Sequence, residues 1–167
     1  ILGQLSGGER NVYQFAFYSG LRTSELIGLM WCDVDYENNR VEVRRACVRG
    51  RIKEPKTQSG IRRIELRPEA LTALRNQKQI GSDSEFVFTD PINNSRWAND
   101  QVLRKRVWIP ALLRAQIAYR NPYQTRHTFA SQELSDGAEP MKIAYEMGHK
   151  DWGMIRTTYG RYIDENR

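Results

Sequence analysis

Apolar residues at helical spacing alternate along this chain with short stretches spaced at every second residue. Residues 11–31, NVYQFAFYSGLRTSELIGLMW, read as helix, break, helix. Gly20 is a good helix stop, Thr23 a good N-cap, and Glu25 suits the positive end of the second helix. Leu26, Leu29 and Met30 give that second helix an apolar stripe, so Arg22 is pinned at a junction between helices. From residue 40 to 66 the pattern turns β-like. RVEVRRACV (40–48), RIKEPKT (51–57) and IRRIEL (61–66) are three strand-type runs, separated by hairpin-turn signals at Arg49-Gly50 and Ser59-Gly60. Lys56 falls near the end of the middle run, just before the second turn.

The rest is mostly helical. Pro68 opens a helix reaching about Gln79, and EFVF (85–88) is a strand or a core segment. Residues 100–118 form a helical pattern that Pro110 must break or kink. Pro122 and Gly137 bracket YQTRHTFASQELSD, Pro140 and Gly148 bracket MKIAYEM, and a last helix is expected from about Trp152 to Ile163. The fold class is therefore α+β, mainly helical, with a small antiparallel three-stranded sheet. No linker, repeat or low-complexity segment divides residues 1–167, which read as one domain.

Composition narrows the function. The 167 residues are 40% hydrophobic and 28% charged, an ordinary globular balance with enough chain for a core. No apolar run is long enough to cross a membrane. The first residue is Ile1 rather than Met, which reads as a fragment or a processed chain. A net charge of +6 and a pI near 9.5 fit nucleic acid, an anionic membrane or an acidic protein as partner. Cys32 and Cys47 form no C-x-x-C, which argues against zinc, redox and disulfide roles and suits a reducing cytoplasm.

The candidate chemistry is cationic. Arg22 at a helix start and Arg126 inside a helix could hold a phosphodiester by two-pronged contacts, although either alone is ordinarily a surface salt-bridge partner. His149 follows Gly148 and could donate to a phosphate oxygen; its bland alternative is a satisfied structural histidine. His127 adjoins Arg126, points about 100° away around the helix, and reads as a structural, buried, hydrogen-bonded residue. The two histidines lack i, i+4 spacing and no carboxylate cluster accompanies them, so no metal or other cofactor is expected. A metal-free phosphoryl-transfer enzyme then needs its own cations and its own nucleophile. Tyr159 and Tyr162, three apart, could each supply the latter.

Four stretches together resemble the catalytic domain of the tyrosine recombinases, in particular the phage-type integrases. They are YSGLRTSELIGLMWCDVD (18–35), PKTQSGIRRIEL (55–66), YQTRHTFAS (123–131) and MGHKDWGMIRTTYGRYI (147–163), in the family's order and through nearly the whole chain. The resemblance implies metal-independent, site-specific DNA recombination through a covalent 3′-phosphotyrosine. In it Arg22 and Arg126 clamp the phosphate, Lys56 protonates the leaving 5′ oxygen, His149 hydrogen-bonds the phosphate, and Tyr159 attacks phosphorus. Glu25 supports the site. Tyr159 lies ten residues after His149, close to the interval in similar integrases, whereas Tyr162 is assigned to packing. The family often has H-x-x-R where this chain has YQTR, which gives Tyr123 a supporting role at the usual histidine position. Also implied are duplex DNA as substrate, a tetramer of the full-length protein on DNA, no membrane, a bacterial cytoplasmic setting, and an N-terminal DNA-clamping domain absent from these residues. A type IB topoisomerase-like enzyme and a non-catalytic DNA-binding protein are the alternative readings.

Overall fold

Helices α1 (Gly7–Ser19) and α2 (Thr23–Gly28) meet at Gly20, in a computed structural model that describes residues 1–54, 61–81, 83–149 and 153–163. Gly20 closes α1 in the left-handed region, with φ 64°. A Cβ there would lie 2.5 Å from the ring of Phe129, so a close approach adds to the backbone requirement for glycine. Thr23 is the first helical residue rather than the cap. The cap is Arg22, because the Glu25 carboxylate reaches back to accept its N–H at 2.9 Å. Leu29 and Met30 lie beyond α2 and turn extended instead. There the Leu29 carbonyl accepts the Val87 N–H at 2.9 Å and the Trp31 N–H donates to Glu85 O at 2.9 Å, giving EFVF its partner.

The β region pairs differently from three consecutive runs. β1 (Val34–Asp35), β2 (Arg40–Val43) and β5 (Arg62–Glu65) form the three-stranded antiparallel sheet, in the order β1-β2-β5. The first strand-type run splits after Val43, and its second half, β3 (Ala46–Val48), pairs among the described residues with β4 (Arg51–Lys53). Positive φ at both Arg49 (52°) and Gly50 (76°) makes the tight mirror-image turn that a two-residue hairpin needs. In the larger sheet Val41 faces Ile64 and Val43 faces Arg62. Strand alternation therefore puts Arg62 on the same inward face as Ile64, and both are buried. Lys56 and the Ser59-Gly60 turn signal lie outside the described residues.

α3 (Pro68–Ile80) packs along α1. A short hairpin, β6 (Thr89–Asp90) and β7 (Ser95–Arg96), leads to a helical stretch that ends at Arg114, short of the expected 118. That stretch runs as α4 (Asp100–Leu103), a π turn (Arg104–Trp108) and α5 (Ile109–Arg114). The wider π turn falls directly before Pro110, whose ring would clash with the preceding turn of a regular α-helix and whose nitrogen donates nothing. α6 (Gln124–Ser135), α7 (Pro140–Met147) and α8 (Gly153–Tyr159) follow, with a 3-10 turn over Gly160–Tyr162. The last α-helix thus stops at Tyr159 rather than running to Ile163. No described helix is long and apolar enough to cross a membrane.

Two apolar clusters result. The larger joins α1, α2, the sheet, α3 and α5 through residues such as Phe15, Ile27, Ile64, Leu74, Phe88 and Trp97. The smaller lies among α6, α7 and α8 and contains Phe129, Ile143, Met147, Ile155 and Tyr159. The Gly20–Phe129 approach lies where they meet, so Gly20→Ala tests the junction. Left-handed strain and ring displacement together should cost roughly 2–5 kcal/mol, read as a lowered denaturant midpoint with unchanged m-value.

Candidate active site

The end of α7 organises the polar centre of the molecule. Gly148 adopts φ 67° and closes a Schellman turn, with His149 N–H donating to Ala144 O at 2.9 Å and Gly148 N–H to Tyr145 O at 2.8 Å. The next three carbonyls are each taken by a different arginine. Glu146 O accepts from Arg62 Nε at 2.8 Å, Met147 O from Arg126 Nη2 at 2.8 Å, and Gly148 O from Arg22 Nη2 at 3.3 Å. A helix C-terminus carries partial negative charge, so it is a favourable place for guanidinium groups. A Cβ at Gly148 would lie 3.0 Å from the Arg62 guanidinium, so a side chain there would crowd this contact as well as strain the left-handed backbone.

One carboxylate sits inside this ring of cations. Glu25 accepts from Arg62 through both oxygens, at 3.0 and 2.8 Å, and from Arg22 Nη1 at 2.9 Å. Burial alone would raise its pKa, but hydrogen bonds and charge from Arg62, aided by Arg22, hold it below the ordinary 4.5. Arg126 is 1% exposed and forms no ion pair with a carboxylate among the described residues. Its Nη1 donates to Gly20 O, and its buried Nε has no hydrogen-bond partner there. Burial, then the charge of Arg22, pushes its pKa below the ordinary arginine value. Three guanidiniums thus surround one carboxylate, while Arg22 keeps 38% of its side chain exposed. A partly open cluster with surplus positive charge is a receptor for an oxyanion.

The other candidates continue from Arg126. His149 Nε2 lies 3.2 Å from Arg126 Nη2. The Tyr123 ring stacks on the Arg126 guanidinium at 5.5 Å and meets His127 edge-on at 5.2 Å. His127 Nδ1 lies 2.6 Å from Tyr159 Oη. Tyr159 is buried at 4% exposure; burial and then Tyr123 push its pKa up to about 12, against the lowering effect of Arg126. Tyr162 packs beside the smaller apolar cluster and its hydroxyl accepts from Arg161 at 2.9 Å. A Cβ at Gly160 would meet nothing within 4 Å, so the chain next to Tyr159 borders open space.

Arg22, Glu25, Tyr123, Arg126 and His149 therefore come together from α2, α6 and α7, and Tyr159 joins through His127. Two residues go beyond the sequence reading. Arg62 is one: in IRRIEL it shares strand parity with Ile64 and Leu66, a signal for a buried arginine. His127 is half-buried, and its hydrogen-bond partner is the candidate nucleophile Tyr159. Its spacing from Tyr123, one helical turn, already put two aromatic rings on one face of α6. Among the described residues no three His, Cys, Asp or Glu side chains gather as a metal site would.

The profile of the Phage integrase family matches residues 4–166. The chain belongs to this family. The integrase domain is 38% identical to prophage integrase IntR of Escherichia coli K12, over 95% of this chain and 44% of IntR. It is 32% identical to the putative defective protein IntQ of the same organism, over 94% of this chain and 46% of IntQ. The domain spans less than half the length of these curated relatives. Among solved structures, the Tn1549 transposon integrase in complex with transposon right end DNA superposes with a TM-score of 0.76 at 26% identity, over 90% of this chain and 53% of that one. The XerA recombinase shares the fold, with a TM-score of 0.70 at 22% identity, over 95% of this chain and 52% of that one. Sequence and fold make this a tyrosine recombinase catalytic domain.

The buried Glu25 pairs give a stability prediction. Removing one member of a buried ion-pair cluster costs about 3–5 kcal/mol, so Glu25→Ala should unfold at markedly lower denaturant. Because Glu25 is held below 4.5, its pairing stabilises the fold fully above that pH and is lost as acid passes the lower folded value. Glu25→Gln should therefore remove part of the acid-side loss of stability, measured by melts between pH 2 and 5.

Proposed function

We propose that the protein carrying this domain performs site-specific DNA recombination by breaking and rejoining strands through Tyr159. The observation that carries this reading is the convergence of Arg22 and Arg126 on the end of α7, with the Arg22 side chain still 38% exposed. His149 stands beside Arg126, and the Tyr159 hydroxyl meets His127, the residue that follows Arg126 on α6. In the proposed step, a scissile phosphate binds against Arg22, Arg126 and His149, whose charge and hydrogen bonds offset negative charge growing on phosphorus-bound oxygens. Tyr159 Oη attacks phosphorus and the 5′ oxygen leaves with a proton, which the reading assigns to Lys56. The phosphotyrosine conserves the energy of the broken bond, so another 5′ hydroxyl can displace it without ATP.

Family relatives support this assignment. The Tn1549 integrase was solved on transposon end DNA and the lambda integrase as a dimer on a core site. Duplex DNA as substrate, a tetramer on DNA, a bacterial cytoplasmic setting and a DNA-clamping domain beyond these residues belong to the same proposal. Arginine and lysine supply the positive charge, so the reaction is expected to proceed in EDTA.

A nicked duplex that loses its 5′ product after cleavage traps the covalent complex. Tyr159→Phe should abolish the complex while leaving duplex affinity within about twofold, because one hydroxyl adds little to binding dominated by phosphate contacts. Tyr162→Phe should still form it. Peptide mapping checks the linkage: DNA on Tyr162, or on neither tyrosine, overturns the reading.

A further inference from the structure

Tyr159 needs a proton acceptor. With a pKa of about 12, only roughly one phenol in 10⁵ is ionised at pH 7. Tyr123, at the position where similar integrases often have histidine, cannot take a proton near neutral pH. His127 can. Its Nδ1 is already 2.6 Å from Tyr159 Oη, within the range for direct proton transfer. We infer that His127 is the general base that activates Tyr159 in this domain. The inference rests on Tyr159 being the nucleophile, as proposed above.

The surroundings suit that role. Burial and then the Arg126 charge hold His127 below 6.5, so its ring is neutral at pH 7 and Nδ1 can accept the phenolic proton when Nε2 carries the ring hydrogen. The charged and titratable groups facing it are Arg126 and Tyr123 from α6 and Tyr159 from α8, with Arg161 and Tyr162 lining the same cleft. Among the described residues no carboxylate faces the ring, and the Arg126 charge disfavours its imidazolium. In cleavage the Oη–H bond breaks as its proton moves to Nδ1, the Oη–P bond forms, and the P–O5′ bond breaks with the 5′ oxygen protonated by the general acid. In rejoining, a 5′ hydroxyl gives its proton to the deprotonated general acid as its oxygen forms the P–O5′ bond, the P–Oη bond breaks, and the Nδ1 proton returns to the departing phenolate.

The test is single-turnover cleavage by the full-length protein, on a nicked duplex whose site the protein itself has selected from random-sequence DNA. Wild-type rates should fall on an acid limb with a midpoint below 6.5. A flat profile between pH 5 and 7 contradicts the inference and needs no variant. His127→Gln keeps an acceptor oxygen for the phenol but cannot take its proton. It should bind the duplex normally, cleave 10²–10⁴-fold more slowly at pH 7, and lose the acid limb. The defect should persist on a bridging 5′-phosphorothiolate, whose thiolate leaves without a proton, whereas a Lys56→Ala defect should shrink there. A His127→Gln rate near wild type with the same profile means that hydrogen bonding suffices. A His127→Ala rate at or above wild type means that His127 only holds the phenol at rest. Either result overturns the inference while DNA still maps to Tyr159; DNA mapped elsewhere instead removes the nucleophile assignment itself.

Discussion

The last turn of α7 is the constraint on which the rest of the site depends. Three successive carbonyls, at Glu146, Met147 and Gly148, receive Arg62, Arg126 and Arg22. Like charges would not otherwise gather in a half-buried space; Coulomb repulsion between two guanidiniums at 4 Å is about 4 kcal/mol even with partial screening. The helix end and Glu25 offset that repulsion without neutralising it. What remains is a net positive cluster whose donors are fixed before any ligand arrives, which is the preorganisation that phosphoryl transfer requires. The glycine at 148 makes the arrangement possible twice, by ending α7 in the left-handed region and by leaving room for Arg62.

Position in the fold explains why such distant residues meet. Glu25 and Arg62 belong to elements of the larger apolar cluster, whereas Arg126, Met147 and Tyr159 belong to the three-helix unit around the smaller one. The arginines cross between them. Arg126 reaches from α6 to Gly20 O, beside the point where Phe129 packs on Gly20. Arg62 reaches from β5 to Glu25 on one side and α7 on the other. The polar site is thus also the tie between the two cores, and substitutions in it will mix stability with chemistry unless binding and folding are measured alongside.

Much of this was readable in the chain. Helix limits at Gly20, Pro68 and Gly148 follow from backbone rules that need no tertiary information, and the Arg49-Gly50 turn formed as its residues demand. The order of motifs named Arg22, Arg126, His149 and Tyr159, and the structure brings them into one region. What failed depended on distant partners. The strand-type run at 40–48 splits because its halves pair with different strands, a choice that local alternation cannot reveal. Leu29 and Met30 leave helix for a bridge with residues more than fifty positions away. His127 is hydrogen-bonded as expected, but a lone histidine beside an arginine carries no local sign that its partner is Tyr159.

The central claim is that the cluster on α7 holds the scissile phosphate in line with Tyr159. It is tested most directly by a structure of the protein on a nicked duplex with vanadate in place of the phosphate. The account predicts five-coordinate vanadium bonded to Tyr159 Oη, with Arg22, Arg126 and His149 on its equatorial oxygens. Vanadate bonded to Tyr162, or a DNA phosphate seated away from the end of α7, would contradict it.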